Sequence, residues 1–257
     1  MAYFFSNHFF MILLCSFFRG FFPVFLAFLT ITAACANPIN DTGIDFSLPA
    51  EASVDGQDAR YGRDAAANKG VLPKIGSSAG SIADNANGFD FTKISSTGSA
   101  LPASAELGGG LDDWACTYDN HTGRMWEVKV NHAWHLRYME HLYTSRPSQE
   151  SKEGKCHEQG RCDAGAFVRA VNAVSLCGHA DWRLPTQSEL RNLVDRGRHG
   201  PAIDPKYFPN TPAQTYWSST QRPEAIPAVW VTDFDSGAGD WDRAANANRI
   251  RLVRSAQ

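Results

Sequence analysis

The sequence predicts an α+β domain in which two short helices sit among small antiparallel strands closed by two disulfides. Three observations carry this expectation. Two segments place apolar residues at helical spacing behind a capping residue, four others read as short strands, and four cysteines fall within the same region. All seven Trp also lie there, between Trp114 and Trp241, and side chains of that size supply much of a core's buried area.

Taken in order, "FDFTKISSTGSALPASA" (Phe89 to Ala105) is intermediate in polarity and is expected to lie on the domain as a strand or clasp. In "TGRMWEVKV", Trp126, Val128 and Val130 share one face after a turn at Asn120–Gly123, which marks the first strand of the Trp-rich region. Asn131 to Gly160 is polar and irregular, and predicts a surface loop. "CDAGAFVRAVNAVSLCG" predicts a helix: Asp163 suits the N-cap, Phe167, Val171 and Val174 share a face, and Gly178 stands at the C-terminal stop.

The second helix follows in "DWRLPTQSELRNLVD", Asp181 to Asp195. Pro185 blocks any earlier start. Thr186 and Glu189 form a Thr-x-x-Glu capping box, each side chain satisfying a backbone donor that the first turn leaves unpaired. Leu190, Leu193 and Val194 make its buried face, Gly197 ends it, and Trp182 and Leu184 pin the preceding segment to the core. The stretch reads as architecture, with no demand for chemistry.

"TYWSST" is a short aromatic strand. "AVWVTDFDSGAGDWD" puts Trp230, Thr232 and Phe234 on one face and Val229 and Val231 on the other, then turns at Ser236–Gly239. "RIRLVR" alternates Ile250 and Leu252 with Arg249 and Arg251, and is expected as the last strand, beside the first.

Outside this region the chain changes character. Phe9 to Ala36 is apolar almost throughout, interrupted by Arg19 and Gly20. Arg19 followed by "FFPVFLAFLTITA" has the charged and apolar parts of a secretory signal, Met11 fits a start, and "ACA" at Ala34 to Ala36 fits a cleavage site, giving a signal over 1–36. An uncleaved membrane anchor is one alternative. A lipid anchor on Cys35 is another, although Thr32 stands where a lipoprotein box usually has an aliphatic residue. Each version implies an exported protein. Residues 37–88 are rich in Ala, Gly, Ser and Asp, bury too little to offset ordering entropy, and predict a disordered tether. The folded domain is therefore expected over 89–257, with its core at 112–254.

Net charge is -3 for the whole chain. Asp112 to Arg254 carries eighteen basic and eighteen acidic residues, without the basic excess of a nucleic-acid module, so nucleic acid is not an expected partner.

Of six cysteines, Cys15 and Cys35 lie in the signal, leaving Cys116, Cys156, Cys162 and Cys177, an even number for an oxidising compartment. Four cysteines allow three connectivities, and sequence alone does not choose. The arrangement favoured here is Cys156–Cys162 as a short staple and Cys116–Cys177 as a long one, worth roughly 2 and 4 kcal/mol on the chain-entropy model. The rival metal or redox reading lacks a CxxC pair.

The ordered blocks "ACTYDNHTGRMWEVK", "FVRAVNAVSLCGHADWRLPTQSELRNLVD", "AIDPKYFPNT", "YWSST", "VWVTDFDSG" and "RLVR" resemble the Lcl C-terminal domain family, over about Asp112 to Arg254. The family is named from the trimeric head of a bacterial collagen-like adhesin that binds sulfated polysaccharides. The resemblance implies a C-type-lectin-like fold, with two helices flanking small antiparallel sheets and the chain ends pairing. It also implies recognition of an extracellular ligand, and a homotrimer. Two departures stand against a direct transfer. The collagen-like stalk is absent, and the domain is neutral where sulfated polymers favour basic surfaces. Arg191, Arg196, Arg198 and His199 read as a solvated helix end, and the Glu-Pro-Asn and Gln-Pro-Asp tripeptides of calcium lectins are missing.

"DFDSGAGDWD" holds Asp233, Asp235, Asp240 and Asp242 within ten residues. Carboxylates that close could hold calcium, but the closing Glu of an EF-hand loop is absent and a hairpin turn is the plainer reading. Trp241, between two acids at an expected loop tip, makes a sugar platform: the ring stacks on a sugar while carboxylates bind its hydroxyls. Asp235, Asp240, Trp241 and Asp242 are therefore candidate ligand-binding residues. Trp134, in "NHAWHLRYMEH", is expected to join that surface. His132, His135 and His141 in the same stretch read as loop histidines, without a helix start that would align them on a metal.

The formylglycine-generating enzymes, which have a related fold, use a cysteine pair with copper. Here "HEQGR" between Cys156 and Cys162 suits an exposed disulfide instead. No nucleophile-base or paired-carboxylate arrangement is recognisable. The expectation is a non-catalytic domain without cofactor or metal, whose partner is an extracellular glycan or cell-surface protein. A structural cell-envelope protein without ligand is one alternative, and a formylglycine-generating-type oxidase-like enzyme is the other.

Overall fold

The computed structural model describes residues 89–146, 154–158, 160–223 and 227–255. The expected signal, Cys35 and the tether at 37–88 lie outside the described residues. Phe89–Ala105 enters the fold as strands β1 (Phe91–Ser95) and β2 (Ala100–Leu101). The chain continues through β3 (Trp114–Asp119), β4 (Arg124–Glu127), β5 (Tyr143–Thr144), α1 (Ala164–Ala173), a 3-10 turn (Leu176–Gly178) and α2 (Gln187–Arg191). It ends with β6 (Thr215–Arg222), β7 (Ala228–Asp233), β8 (Gly239–Arg243), β9 (Ala247–Asn248) and β10 (Val253–Ser255). A five-stranded antiparallel sheet runs β10-β4-β3-β1-β2, beside a β5-β9 pair and a β6-β7-β8 sheet. Two helices, small antiparallel sheets and two disulfides make this an α+β fold, as the sequence predicts.

Asp119 makes the turn into β4 by accepting the His121 and Thr122 backbone N–H groups at 3.0 Å and the Thr122 hydroxyl at 2.6 Å. Gly123 closes it with φ +66, a conformation glycine adopts without Cβ strain. The last strand lies beside β4, with Val253 opposite Trp126 and Arg254 opposite Met125.

Period-two alternation in this region does not separate core from solvent. Met125 packs into a cluster with Phe167, Val171, Trp182 and Leu252, whereas Trp126 packs into another with Leu190, Leu193, Phe208 and Phe234. Both faces of β4 are covered. Glu127 and Arg251 are consequently buried, and Lys129 and Arg249 are buried too, each of the four under 5% exposed.

The interior charges pair closely. Lys129 Nζ forms an ion pair with Glu127 Oε1 at 2.8 Å, and the Leu252 N–H donates to Glu127 Oε2 at 3.0 Å. Arg251 donates to the Glu127 carbonyl and to Thr211 Oγ1, both at 2.6 Å. Burial pushes the Lys129 ammonium down to about 8 against the opposing pull of Glu127.

Helix α1 starts where expected, with Asp163 accepting the Ala166 N–H at 2.9 Å. It stops earlier than Gly178. The chain leaves the helix at Val174 and passes through left-handed Ser175 (φ 48), Cys177 (φ 52) and Gly178 (φ 76), a reversal that brings Cys177 to Cys116. Val174 is therefore 65% exposed, not on the buried face with Phe167 and Val171. Asn172 then clamps the Trp182 backbone in both directions, at 2.8 and 3.0 Å.

The capping box of α2 is complete: Glu189 N–H donates to Thr186 Oγ1 at 3.2 Å, and Thr186 N–H to Glu189 Oε2 at 2.8 Å. The α-helix itself ends at Arg191, well before Gly197, and tighter turns carry Leu193 and Val194 into the core. Arg183 reaches Glu189 with two 2.8 Å bonds and Arg124 with one more, so the cap residue also ties the helix to β4. Burial alone would raise the Glu189 carboxyl, but these hydrogen bonds outweigh it and hold the group at about 2, below its ordinary 4.5. A depressed carboxylate stabilises the fold above its unfolded value and loses that contribution as pH falls through the folded one. Urea unfolding from pH 6 to pH 2 should therefore show a loss of about 3 kcal/mol from this group. That part of the slope should be missing in Glu189→Gln.

Within Asn131–Gly160, the described residues are only partly the surface loop that polarity predicts. Arg137, His141, Tyr143 and Thr144 are buried, and β5 pairs with β9. Arg137 is accommodated because the Ala115 and Val128 carbonyls accept its guanidinium. Both favoured disulfides are present, with Cα separations of 6.5 Å for Cys116–Cys177 and 5.4 Å for Cys156–Cys162. Among the described residues no helix is long and apolar enough to cross a membrane.

Candidate functional site

The Asp-Trp-Asp motif lies in mid-strand. Asp233 closes the hairpin early, accepting the Asp235 N–H at 3.0 Å and the Ser236 hydroxyl at 3.1 Å, so the turn is complete before Gly239. Trp241 consequently sits in the middle of β8, opposite Trp230, not at the loop tip that its sequence context predicts. Its ring is 42% exposed, and the Arg222 guanidinium lies 4.5 Å from the ring centroid.

The flanking acids have a local task. Among the described residues β8 is an edge strand, paired with β7 alone. The bonds Asp233 N–H to Ala238 O and Ala244 N–H to Pro227 O set the ladder's alternation, which turns the Trp241 and Arg243 N–H groups away from β7. Asp240 accepts the first at 2.8 Å and Asp242 the second at 2.8 Å. Asp242 also accepts the Asn246 and Asn248 amides at 2.5 and 2.8 Å. The two carboxylates thus cover the outward donors of the strand edge and discourage addition of a further strand.

Trp134 has a different setting. At 83% exposure, it stands on the wall of a cleft of ≈ 740 Å³ that Tyr138, Glu140, Lys155, His157, Gln214 and Arg249 also line. An adjoining cavity of ≈ 420 Å³ shares Leu142 and Gln214 with this cleft and is lined by Asp233, Asp235 and Asn248. Trp134 and Asp235 therefore open onto two adjoining hollows. Asp240, Trp241 and Asp242 line neither.

The cleft's charge comes from few groups. His141 also lines it, and burial pushes its pKa down. His135 is pushed down to about 4 by burial and then by Arg137; its Nδ1 accepts the Arg137 N–H at 3.0 Å and is engaged within the fold. Arg249 is fixed by its backbone, which donates to Thr215 O at 3.0 Å and accepts from Trp217 at 2.9 Å. Its Nη2 meets Glu140 Oε2 at 2.6 Å.

Of the residues singled out from sequence, Trp134 lines the cleft and Asp235 the adjoining cavity; Tyr138, Glu140, Gln214 and Arg249 line the cleft without having been singled out. Cys156 and Cys162 are joined, so they offer no free thiol pair. Among the described residues no group of three or more His, Cys, Asp or Glu is placed to hold a metal ion.

Comparison with protein families matches residues 115–254 to the Lcl C-terminal domain. Comparison with curated proteins gives no match. The matched region is more than half of the chain; it leaves out β1 and β2 but takes in both helices, β4 to β9 and the residues that line the cleft. The chain belongs to the Lcl C-terminal domain family.

Proposed function

We propose that this is an exported, non-catalytic recognition domain, C-type-lectin-like in architecture, that binds an extracellular or cell-surface saccharide in the Trp134 cleft. Trp134 carries the reading: a large ring held 83% exposed beside a polar cleft has a wet face ready to stack on a sugar, with hydrogen-bonding groups behind it. The two disulfides suit an oxidising compartment, and the apolar segment before Asn37 is what would deliver the chain there. Asp235 and Asn248 in the adjoining cavity extend the hydroxyl-binding surface.

Calorimetric titration of the purified protein against neutral and acidic oligosaccharides, with calcium and with chelator, tests this. Binding should not depend on calcium. Trp134→Ala should weaken it by about tenfold, equivalent to about 1.4 kcal/mol. Trp241→Ala should change it less than twofold. Unchanged affinity in Trp134→Ala, or loss confined to Trp241→Ala, refutes the cleft as the site.

A further inference from the structure

Arg249 is the cation most deeply set in the cleft: its side chain is 5% exposed, whereas its partner Glu140 is 47% exposed. Among the described residues, Nη2 of the guanidinium is paired, at 2.6 Å to Glu140, whereas Nε and Nη1 are buried with no hydrogen-bond partner. A guanidinium is a planar fork that matches two carboxylate oxygens at once, and here a single oxygen of Glu140 meets it. Arg249 cannot withdraw, because its backbone is bonded on both sides to β6. Glu140, half in solvent, is the member of the pair that can move.

We infer that Arg249 is the anchor for a carboxylate-bearing sugar and that Glu140 is a resident stand-in for the ligand's carboxylate, displaced when the ligand binds. This rests on the cleft being a saccharide site and names the class of saccharide. Trp134 and Tyr138 line the wall on which the ring stacks, and Lys155 and His157 add positive or neutral donors around it. Asp233 and Asp235, in the cavity that shares Gln214, disfavour a second anion farther along and suit hydroxyls. One carboxylate per recognised unit, in the manner of a uronic acid, fits this arrangement better than a densely sulfated chain.

The test compares a glucuronate-containing oligosaccharide with its neutral glucuronamide analogue, and adds inorganic sulfate as competitor. In Glu140→Gln, which keeps size and removes the charge, preference for the acidic over the neutral ligand should rise about tenfold. Sulfate should compete poorly. Arg249→Gln, checked for native folding by near-UV circular dichroism, should abolish the preference. An acidic-to-neutral preference unchanged in Glu140→Gln overturns the inference while leaving the saccharide reading in place, provided Trp134→Ala still weakens the neutral ligand. Sulfate competing as strongly as glucuronate overturns the carboxylate assignment. Absence of binding to both sugars overturns the saccharide reading and the inference together.

Discussion

Glu127→Gln is expected to cost about 3–5 kcal/mol of folding stability, the range for removing one partner of a buried ion pair. Glu127 is fully buried and its carboxylate takes both the Lys129 ammonium and the Leu252 N–H. Without the negative charge, Lys129 faces Arg137 and Arg251, which already depress its pKa, with only the Phe167 ring 4.5 Å away to offset them. Equilibrium urea unfolding at pH 7 measures the loss. Glu127→Gln combined with Lys129→Met should recover most of it, because the double variant leaves no stranded charge on this pair. A single-variant loss below about 1 kcal/mol would show that the pair is not desolvated as described.

Replacing Cys116 and Cys177 together by alanine should cost about 4 kcal/mol, since the bond closes a loop with a sequence separation of 61. Both cysteines are fully buried, and the bond fixes β3 to the reversal that follows α1. The same change at Cys156 and Cys162, separated by 6 residues, should cost about 2 kcal/mol. Unfolding midpoints of the two double variants decide it. A larger effect at the short loop would contradict the entropic account. A typical domain has about 5–15 kcal/mol in total, so loss of the long bond alone brings the fold near its limit.

Where the fold was legible, its cause was local. Asp163 and the Thr186–Glu189 box need only their own helix's first turn, and both are in place. The favoured cysteine pairing is present, although the sequence alone left three connectivities open. What was not legible depends on partners far along the chain. Alternation in "TGRMWEVKV" and "RIRLVR" suggests one wet face, and the packing of two clusters on opposite sides of β4 makes Glu127 and Arg251 interior instead. Arg137 looked like a loop residue because its acceptors are backbone carbonyls, which carry no sequence signature.

The candidate site divides the same way. Trp134 was expected only to join the Trp241 surface, and the structure keeps it in solvent beside a cleft that Trp241 does not line. Trp241 looked equivalent, but one Asx turn at Asp233 moves it from tip to strand, and its flanking acids bond their own backbone. Arg249 could not be found from sequence, because Glu140, which marks it as a cleft residue, lies 109 positions away.

The most direct test of the cleft is a two-dimensional NMR titration following the seven Trp indole N–H signals as a uronic-acid oligosaccharide is added. The account predicts a saturable shift of the Trp134 indole, lost in Trp134→Ala, with the Trp241 indole stationary beside Arg222. A shift at Trp241 with Trp134 unmoved would contradict it and place recognition on the β8 edge.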